Sequence, residues 1–320
     1  MAENKAKFDT VEAAIEDLKK GIPVVVVDDE DRENEGDLII PAQVATYEWM
    51  NFIINEARGL MCVPVSHEVA KRLMLDPMTH HNTDHHGTAF TISVDAAEGT
   101  TTGISVADRL KTVLDLANPN KKPEDFLRPG HMFPLIAKEN GVLERRGHTE
   151  AAVDLARLAG FEPVAVIMEM LNHDGTMARR DDLFAFCQKH NLKIITVDEL
   201  IVYIKKNEKL VKNEATVDIP TQFGKFTFSG YSDKIDHKEY IAVMKGEIKN
   251  KENGYQLIKR SGFVNSSLYS EQAEKRKQVY MLSSGSVLSF KPEGKILDLK
   301  LHGKHSIYRM GKPIVLGVKI

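Results

Sequence analysis

Between residues 9 and 206, short apolar runs alternate with stretches of helical spacing, and this alternation limits the possible folds more than any other feature. PVAVIMEML (163–171) reads as an apolar strand, DDLFAFCQKHN (181–191) as a helix, KIITV (193–197) as a strand and DELIVYIKK (198–206) as a closing helix. The same order runs earlier in the chain. Asp9 with Glu12 fits a capping box, Val11, Ala14, Ile15 and Leu18 share one helical face, and Gly21 supplies a stop. VVVV (24–27) and LII (38–40) read as buried strands, TAFTISVD (88–95) alternates as a strand, and SVADRLKTVLDLAN (105–118) and HTEAAVDLARLAG (148–160) are spaced as helices. Such elements bury their apolar faces against one another in layers. The expected fold is therefore α+β, a mixed α/β layered sheet, for this part of the chain.

After residue 215 the texture changes to short strand-like pieces, GKFTFSGY, YIAVM, VYML and SVLSF, separated by Gly, Ser and Asn. Charge divides the chain at the same place: residues 1–205 carry a formal −12 and residues 206–320 a formal +9. Nine of the twelve histidines precede residue 206. KKNEKLVKNEA (205–215) is charged and poor in large apolar residues, so it is the expected boundary. Two domains follow, 1–208 and a smaller, strand-rich 209–320.

The 320 residues are 42% hydrophobic and 28% charged, as in soluble globular proteins, and the polar start MAENKAKFDT lacks the core of a signal peptide. No apolar run approaches the roughly 18 residues of a spanning helix. The expectation is a cytoplasmic protein with no membrane contact. Two cysteines, Cys62 and Cys187, cannot build a disulfide framework, which agrees with a reducing compartment.

Asp28 to Asp37 holds seven acids around Arg32, between two strand-like runs. Neither the EF-hand template nor either glycine-rich nucleotide cradle fits anywhere in the chain. A run of this kind is ordinarily a solvated loop. The alternative is a shaped site: Glu33, Glu35 and Asp37 repel one another unless protonated or sharing a cation, oxygen ligands favour Mg2+ or Mn2+, and Gly36 allows a bend.

LERRGHTEA (143–151) places Arg145, Arg146, Gly147, His148 and Thr149 directly before a helix, where N–H groups and the dipole favour an anion such as phosphate. A plain helix cap with solvated arginines accounts for it as well. RPGHMFP puts His131 in a turn, catalytic or merely packed. Glu169 lies inside an apolar strand, where an unpaired carboxylate is costly, so a functional role is favoured. Cys62 in GLMCVPV is most simply a small buried residue. The His80–His86 loop lacks regular ligand spacing and reads as a polar loop, with zinc the minor alternative.

DDEDRENEGDLI, GLMCVPV, NTDHHGTAFTISVDA, TTGIS, RPGHMFPL, GVLERRGHTEAAVDLARLAG and MEMLNHDGTMAR, in this order over about residues 8–205, resemble 3,4-dihydroxy-2-butanone 4-phosphate synthase of riboflavin biosynthesis. The resemblance implies a lyase that converts ribulose 5-phosphate to the four-carbon ketone phosphate and formate. It further implies Mg2+ or Mn2+, two ions per site, and a homodimer. By the same resemblance Glu33 and His148 hold metal, and Arg32, Glu33, Asp37 and Glu169 contact the sugar. Arg145, Arg146, Gly147, His148 and Thr149 would hold the phosphate end. His131 and Glu169 match the essential acid/base positions, and Cys62 matches a cysteine at the site. His85 and Arg146 depart from the usual pattern, where many relatives have Pro and a small residue. From about residue 216 the chain resembles the opening of GTP cyclohydrolase II, without that family's three-cysteine zinc site. A degenerate domain, inactive on GTP and without zinc, is expected. The competing reading is a scaffold whose basic second half docks an anionic partner; no aromatic–basic interleaving supports nucleic acid.

Overall fold

Val11, Ala14, Ile15 and Leu18 are the four buried residues of helix α1 (Val11–Lys19). The computed structural model describes residues 7–221, 224–235 and 238–245, and beyond these only strands at Leu257–Arg260, Phe263–Val264, Glu274–Lys275, Val279–Leu282, Ile296–Asp298 and Tyr308–Met310. The cap of α1 is Thr10, whose hydroxyl accepts from Ala13 N–H at 3.2 Å. The expected cap, Asp9, is engaged elsewhere: its N–H donates to Ile194 O at 2.8 Å and its carboxylate accepts from Ile194 N–H at 3.0 Å.

The chain divides into two compact units, Met1–Glu208 and Lys209–Ile320. In the first, α1 is followed by β1 (Val24–Val27), β2 (Gly36–Pro41), α2 (Tyr47–Glu56), β3 (Cys62–Val65), α3 (His67–Arg72), β4 (Val94–Ala96), α4 (Val106–Leu116), β5 (Phe126–Ile136), α5 (His148–Leu158), β6 (Ala165–Glu169), α6 (Arg180–His190), β7 (Lys193–Thr196) and α7 (Val197–Asn207). The seven strands form one mixed sheet in the order β4-β5-β3-β6-β2-β1-β7. Only β1–β7 and β3–β5 pair in parallel; the other neighbours are antiparallel. The α+β expectation therefore holds, with a central sheet buried on both faces.

Strand parity sorts the layers. Val25, Val27, Leu38, Ile40, Val63, Val65, Val166 and Met168 join the cluster that contains Met50 and Ile53 of α2, Val113 and Leu116 of α4, and Leu183 and Cys187 of α6. The alternate residues Val24, Val26, Ile39 and Ile167 are equally buried and face the other way. There α5 lies across β2, β6 and β3, with α1 beside it. Residues His148 to Ala156 of α5 are all buried, as expected of a helix enclosed on every side.

TAFTISVD is strand only at its end, where β4 begins at Val94. Helix α2 escapes a periodicity reading because Tyr47, Trp49, Met50, Phe52, Ile53 and Ile54 spread apolar surface around its circumference. RPGHMFP, expected as a turn, lies within β5, yet the strand is irregular there. Val94 pairs with Met132 and Asp95 with Leu127, so four residues of β5 bulge out between these pairs. Pro129 cannot donate to a ladder, and Gly130 N–H turns to Ser93 O at 3.0 Å.

In the second unit, β8 (Val211–Thr221), β9 (Gly224–Asp233) and β10 (Glu239–Lys245) form an antiparallel sheet in the order β10-β9-β8. GKFTFSGY and YIAVM fall within β9 and β10, and VYML coincides with Val279–Leu282. SVLSF, His237, His302 and His305 lie outside the described residues. KKNEKLVKNEA is mostly the end of α7 and the start of β8, leaving 208–210 between them. Among the described residues no helix is long and apolar enough to cross a membrane.

Candidate active site

Asp37 of β2 stands opposite Glu169 of β6, and Cys62 of β3 opposite Ile167, two residues earlier on β6. Residues directly opposite share a face and parity repeats every second residue, so Asp37, Glu169 and Cys62 share one face. It is the face covered by α5, whose first residue, His148, brings Nδ1 to 3.8 Å from Asp37 Oδ1.

The acidic run closes this pocket as an ordered loop. Asp28 is buried and acts as its hub: Oδ1 accepts from Glu35 N–H at 2.9 Å, and Oδ2 accepts from Glu33 N–H at 3.2 Å and from the Arg32 guanidinium at 2.7 Å. Arg32 also holds Glu33 Oε2 at 2.7 Å. Asn34 takes the left-handed conformation (φ 56°), so the bend expected at Gly36 falls two residues earlier. Arg179, the residue that caps the start of α6, donates to Glu33 O at 3.0 Å and to Asn34 O.

The charges are strongly coupled. Burial pushes the Asp37 carboxyl up to about 7, the negative charges of Glu169, Glu33 and Glu35 add to this, and His148 opposes it. Burial alone would lower the His148 imidazole, but Asp37, Glu33 and Asp28 raise it to about 9. Burial would raise Glu33, yet His148 and Arg32 hold its carboxyl down at about 2. His148 Nδ1 stands 3.6 Å from Glu33 Oε2, an ion-pair distance rather than a hydrogen bond.

Asp28, Glu33 and His148 each offer a ligand atom within 4.8 Å of the others. Asp28 is committed to the loop, which leaves Glu33 and His148 as the freer donors. Among the described residues His148 Nε2 and Asp37 Oδ1 are buried without a hydrogen-bond partner, a costly state that a cation would relieve. Carboxylate oxygen with one imidazole suits a hard or borderline divalent ion. These residues fit a divalent metal.

Glu169 is held by Leu60 N–H, which donates to Oε2 at 2.8 Å, beside Gly59. Cys62 is 1% exposed, and burial together with the charges of Glu169 and Asp37 pushes its thiol well up, disfavouring a thiolate. His131 lies on β5 two residues before Phe133, which pairs with Cys62. Its Nδ1 is 2.6 Å from Asp95 Oδ2. Arg145 is occupied: it donates to Glu150 Oε2 at 2.6 Å, Thr88 Oγ1 at 3.0 Å and His86 O at 3.1 Å, tying the histidine-rich loop to the start of α5. Arg146 is exposed and meets Asp198 at 3.2 Å. Gly147 caps α5, and Thr149 is buried in its first turn.

Thus Arg32, Glu33, Asp37, His148, Glu169 and Cys62 converge, whereas Arg146 turns to the surface and His131 is bonded to Asp95. Asp28, Asp95 and Glu150 were not singled out by sequence. Asp28 sits at the strand end of the acid run, and Glu150 immediately after His148–Thr149, but their burial follows from packing alone.

A family model described as 3,4-dihydroxy-2-butanone 4-phosphate synthase matches residues 12–203. A second, described as CRISPR Csm4 C-terminal domain, matches residues 240–318. The riboflavin biosynthesis protein RibBA of Bacillus mycoides is 54% identical over 245 residues, covering 77% of this chain and 62% of that protein. The chain thus spans less than two thirds of the length of such relatives. Among solved structures, RibBX of A. baumannii, a two domain 3,4-dihydroxy-2-butanone 4-phosphate synthase, superposes with a TM-score of 0.66 at 45% identity over 75% of this chain and 71% of that one. A 3,4-dihydroxy-2-butanone 4-phosphate synthase in complex with two magnesium ions superposes with a TM-score of 0.60 at 45% identity, over 62% of this chain and 98% of that one.

Proposed function

The chain belongs to the 3,4-dihydroxy-2-butanone 4-phosphate synthase family, and from that premise we propose that it converts D-ribulose 5-phosphate to L-3,4-dihydroxy-2-butanone 4-phosphate and formate, in riboflavin biosynthesis. The two products together hold the atoms of the substrate, so no redox partner is needed. The observation that carries this reading is the buried imidazole of His148, its Nε2 unpartnered among the described residues, beside Glu33 and Asp37 on the same face of the sheet as Glu169.

In this reading Glu33 and His148 hold Mg2+ or Mn2+, two ions per site, and zinc has no part. When bound, the metal supplies positive charge beside substrate oxygens on which negative charge grows as a neighbouring carbon loses its proton. The protein does the rest. Arg32 and Asp28 hold the Glu33 loop in shape, and Arg32 and Asp37 contact the sugar. The N–H groups at the start of α5, around Gly147, His148 and Thr149, receive the phosphate, with Arg145 bracing that turn and Arg146 adding charge at its edge. Glu169, oriented by Leu60 N–H, and His131 carry protons to and from carbon and oxygen. Cys62 lines the pocket as a thiol.

Residues 1–208 form the synthase unit of a cytoplasmic homodimer. Residues 209–320 are a degenerate GTP cyclohydrolase II-like domain inactive on GTP, because residues 206–320 contain no cysteine to hold that family's zinc. The test is incubation with ribulose 5-phosphate and Mg2+, following formate. Release abolished by EDTA is expected; no release with folded, metal-loaded protein refutes the proposal. A parallel incubation with GTP and added Zn2+ is expected to yield no formate.

A further inference from the structure

His131 projects from the β5 bulge with its side chain 44% exposed, while the side chain of its neighbour Asp95 is only 10% exposed. One carboxylate holds both ends of the histidine: Oδ1 accepts from His131 N–H at 2.9 Å, and Oδ2 lies 2.6 Å from Nδ1. A third element seals the pair. Gly103, at φ +94°, packs so close that a methyl group there would collide with both Asp95 Oδ2 and His131 Nδ1. Gly103 is itself tethered, its N–H donating at 3.0 Å to Asp108, a buried carboxylate that also takes Thr101 N–H at 3.1 Å and Thr101 Oγ1 at 2.7 Å.

We infer that Asp95 is a positioning residue: it fixes His131 in the Nδ1–H tautomer, so that Nε2 is the proton-carrying atom presented to substrate. An ionised carboxylate only accepts hydrogen bonds, so the 2.6 Å contact requires the proton on Nδ1. A neutral imidazole then has its lone pair on Nε2, the arrangement a proton acceptor needs. Both bonds of Asp95, and the backbone of Gly103 behind it, remove rotation about the His131 side chain. The kinetic consequence rests on the proposed lyase reaction; the pairing does not.

The test has two arms. In protein labelled with 15N-histidine, the His131 signal, assigned by its loss in His131→Asn, is expected to report Nδ1–H when the ring is neutral. Asp95→Asn offers an amide donor in place of Oδ2, and is expected to invert the tautomer to Nε2–H. In the formate assay, Asp95→Asn is expected to lower kcat by about 10^2–10^4-fold, the usual range for a general acid or base, with KM unchanged. A wild-type ring protonated on Nε2, or an Asp95→Asn variant with wild-type kcat, overturns the inference. Should Asp95→Asn not fold, the wild-type tautomer decides. Absence of formate release by the wild type would count against the reaction, and the tautomer, read without substrate, would still decide the pairing.

Discussion

Gly59 and Glu169 are packed so closely that a methyl group on Gly59 would lie 2.5 Å from both the backbone oxygen and Oε2 of Glu169. That approach lets the next residue, Leu60, donate its N–H to the same Oε2. Gly59→Ala must displace either the β6 backbone or the carboxylate. Overpacking of this kind costs about 1–3 kcal/mol, and a misplacement of about 1 Å at a reacting group costs about 10^2-fold in rate. The expected outcome is a protein that still unfolds cooperatively but releases formate about 10^2-fold more slowly. Unchanged turnover would show that this carboxylate's position is immaterial.

Glu33→Gln and His148→Asn are each expected to weaken divalent metal binding by more than about 100-fold, since loss of an outer partner alone costs 10–100-fold. Titration of metal-free protein with Mn2+, read by its paramagnetic signal, measures this without substrate. Asp28→Asn tests the division of labour: its role is to hold the N–H groups of Glu33 and Glu35, so it should destabilise the fold as well as the site. A variant that lost metal affinity with no loss of thermal stability would make Asp28 a ligand instead.

Neither thiol should react in the native protein. Cys62 and Cys187 are both buried; burial and nearby carboxylates push Cys62 well up, and burial with the charge of Asp9 pushes Cys187 up to about 12. A disulfide reagent at pH 8 should titrate no fast thiol in folded protein and two after denaturation. A rapid native thiol assigned to Cys62 would mean that the pocket opens in solution.

In the metal-free protein, stability should fall as pH rises above neutrality. The folded-state value of His148, raised from 6.5 to about 9, gives a contribution fully present below about 6.5 and lost as pH rises through about 9. Asp37, raised from 3.8 to about 7, acts with the same sign over its lower window. Melting temperature should therefore decline between pH 7 and 9.5, and His148→Asn should flatten that decline. A wild-type curve that is level or rising across this range would contradict the coupling of His148 to its carboxylates.

Local periodicity determined a good deal by itself. The buried face of α1, the strands around VVVV and LII, and the extents of α4, α5, α6 and α7 were legible because each buries a stripe whose spacing is written in neighbouring residues. The chemically loaded stretches were also legible: Glu33 and Asp37 in the acid run, Glu169 inside an apolar strand, His148 at a helix start. What they face was decided only by the tertiary structure. Asp37 meets Glu169 because β2 and β6, more than a hundred residues apart in the chain, pair in one register, and a slip of one residue would turn Asp37 to the opposite face. Asp9 was drawn from the cap of α1 to the edge of β7, Asp28 from an acidic loop to its buried hub, and Arg145 into hydrogen bonds with the loop at His86 and Thr88. Each change has one cause. A polar group pulled from water by distant packing must find a partner there, and the identity of that partner depends on long-range strand pairing that local sequence does not encode.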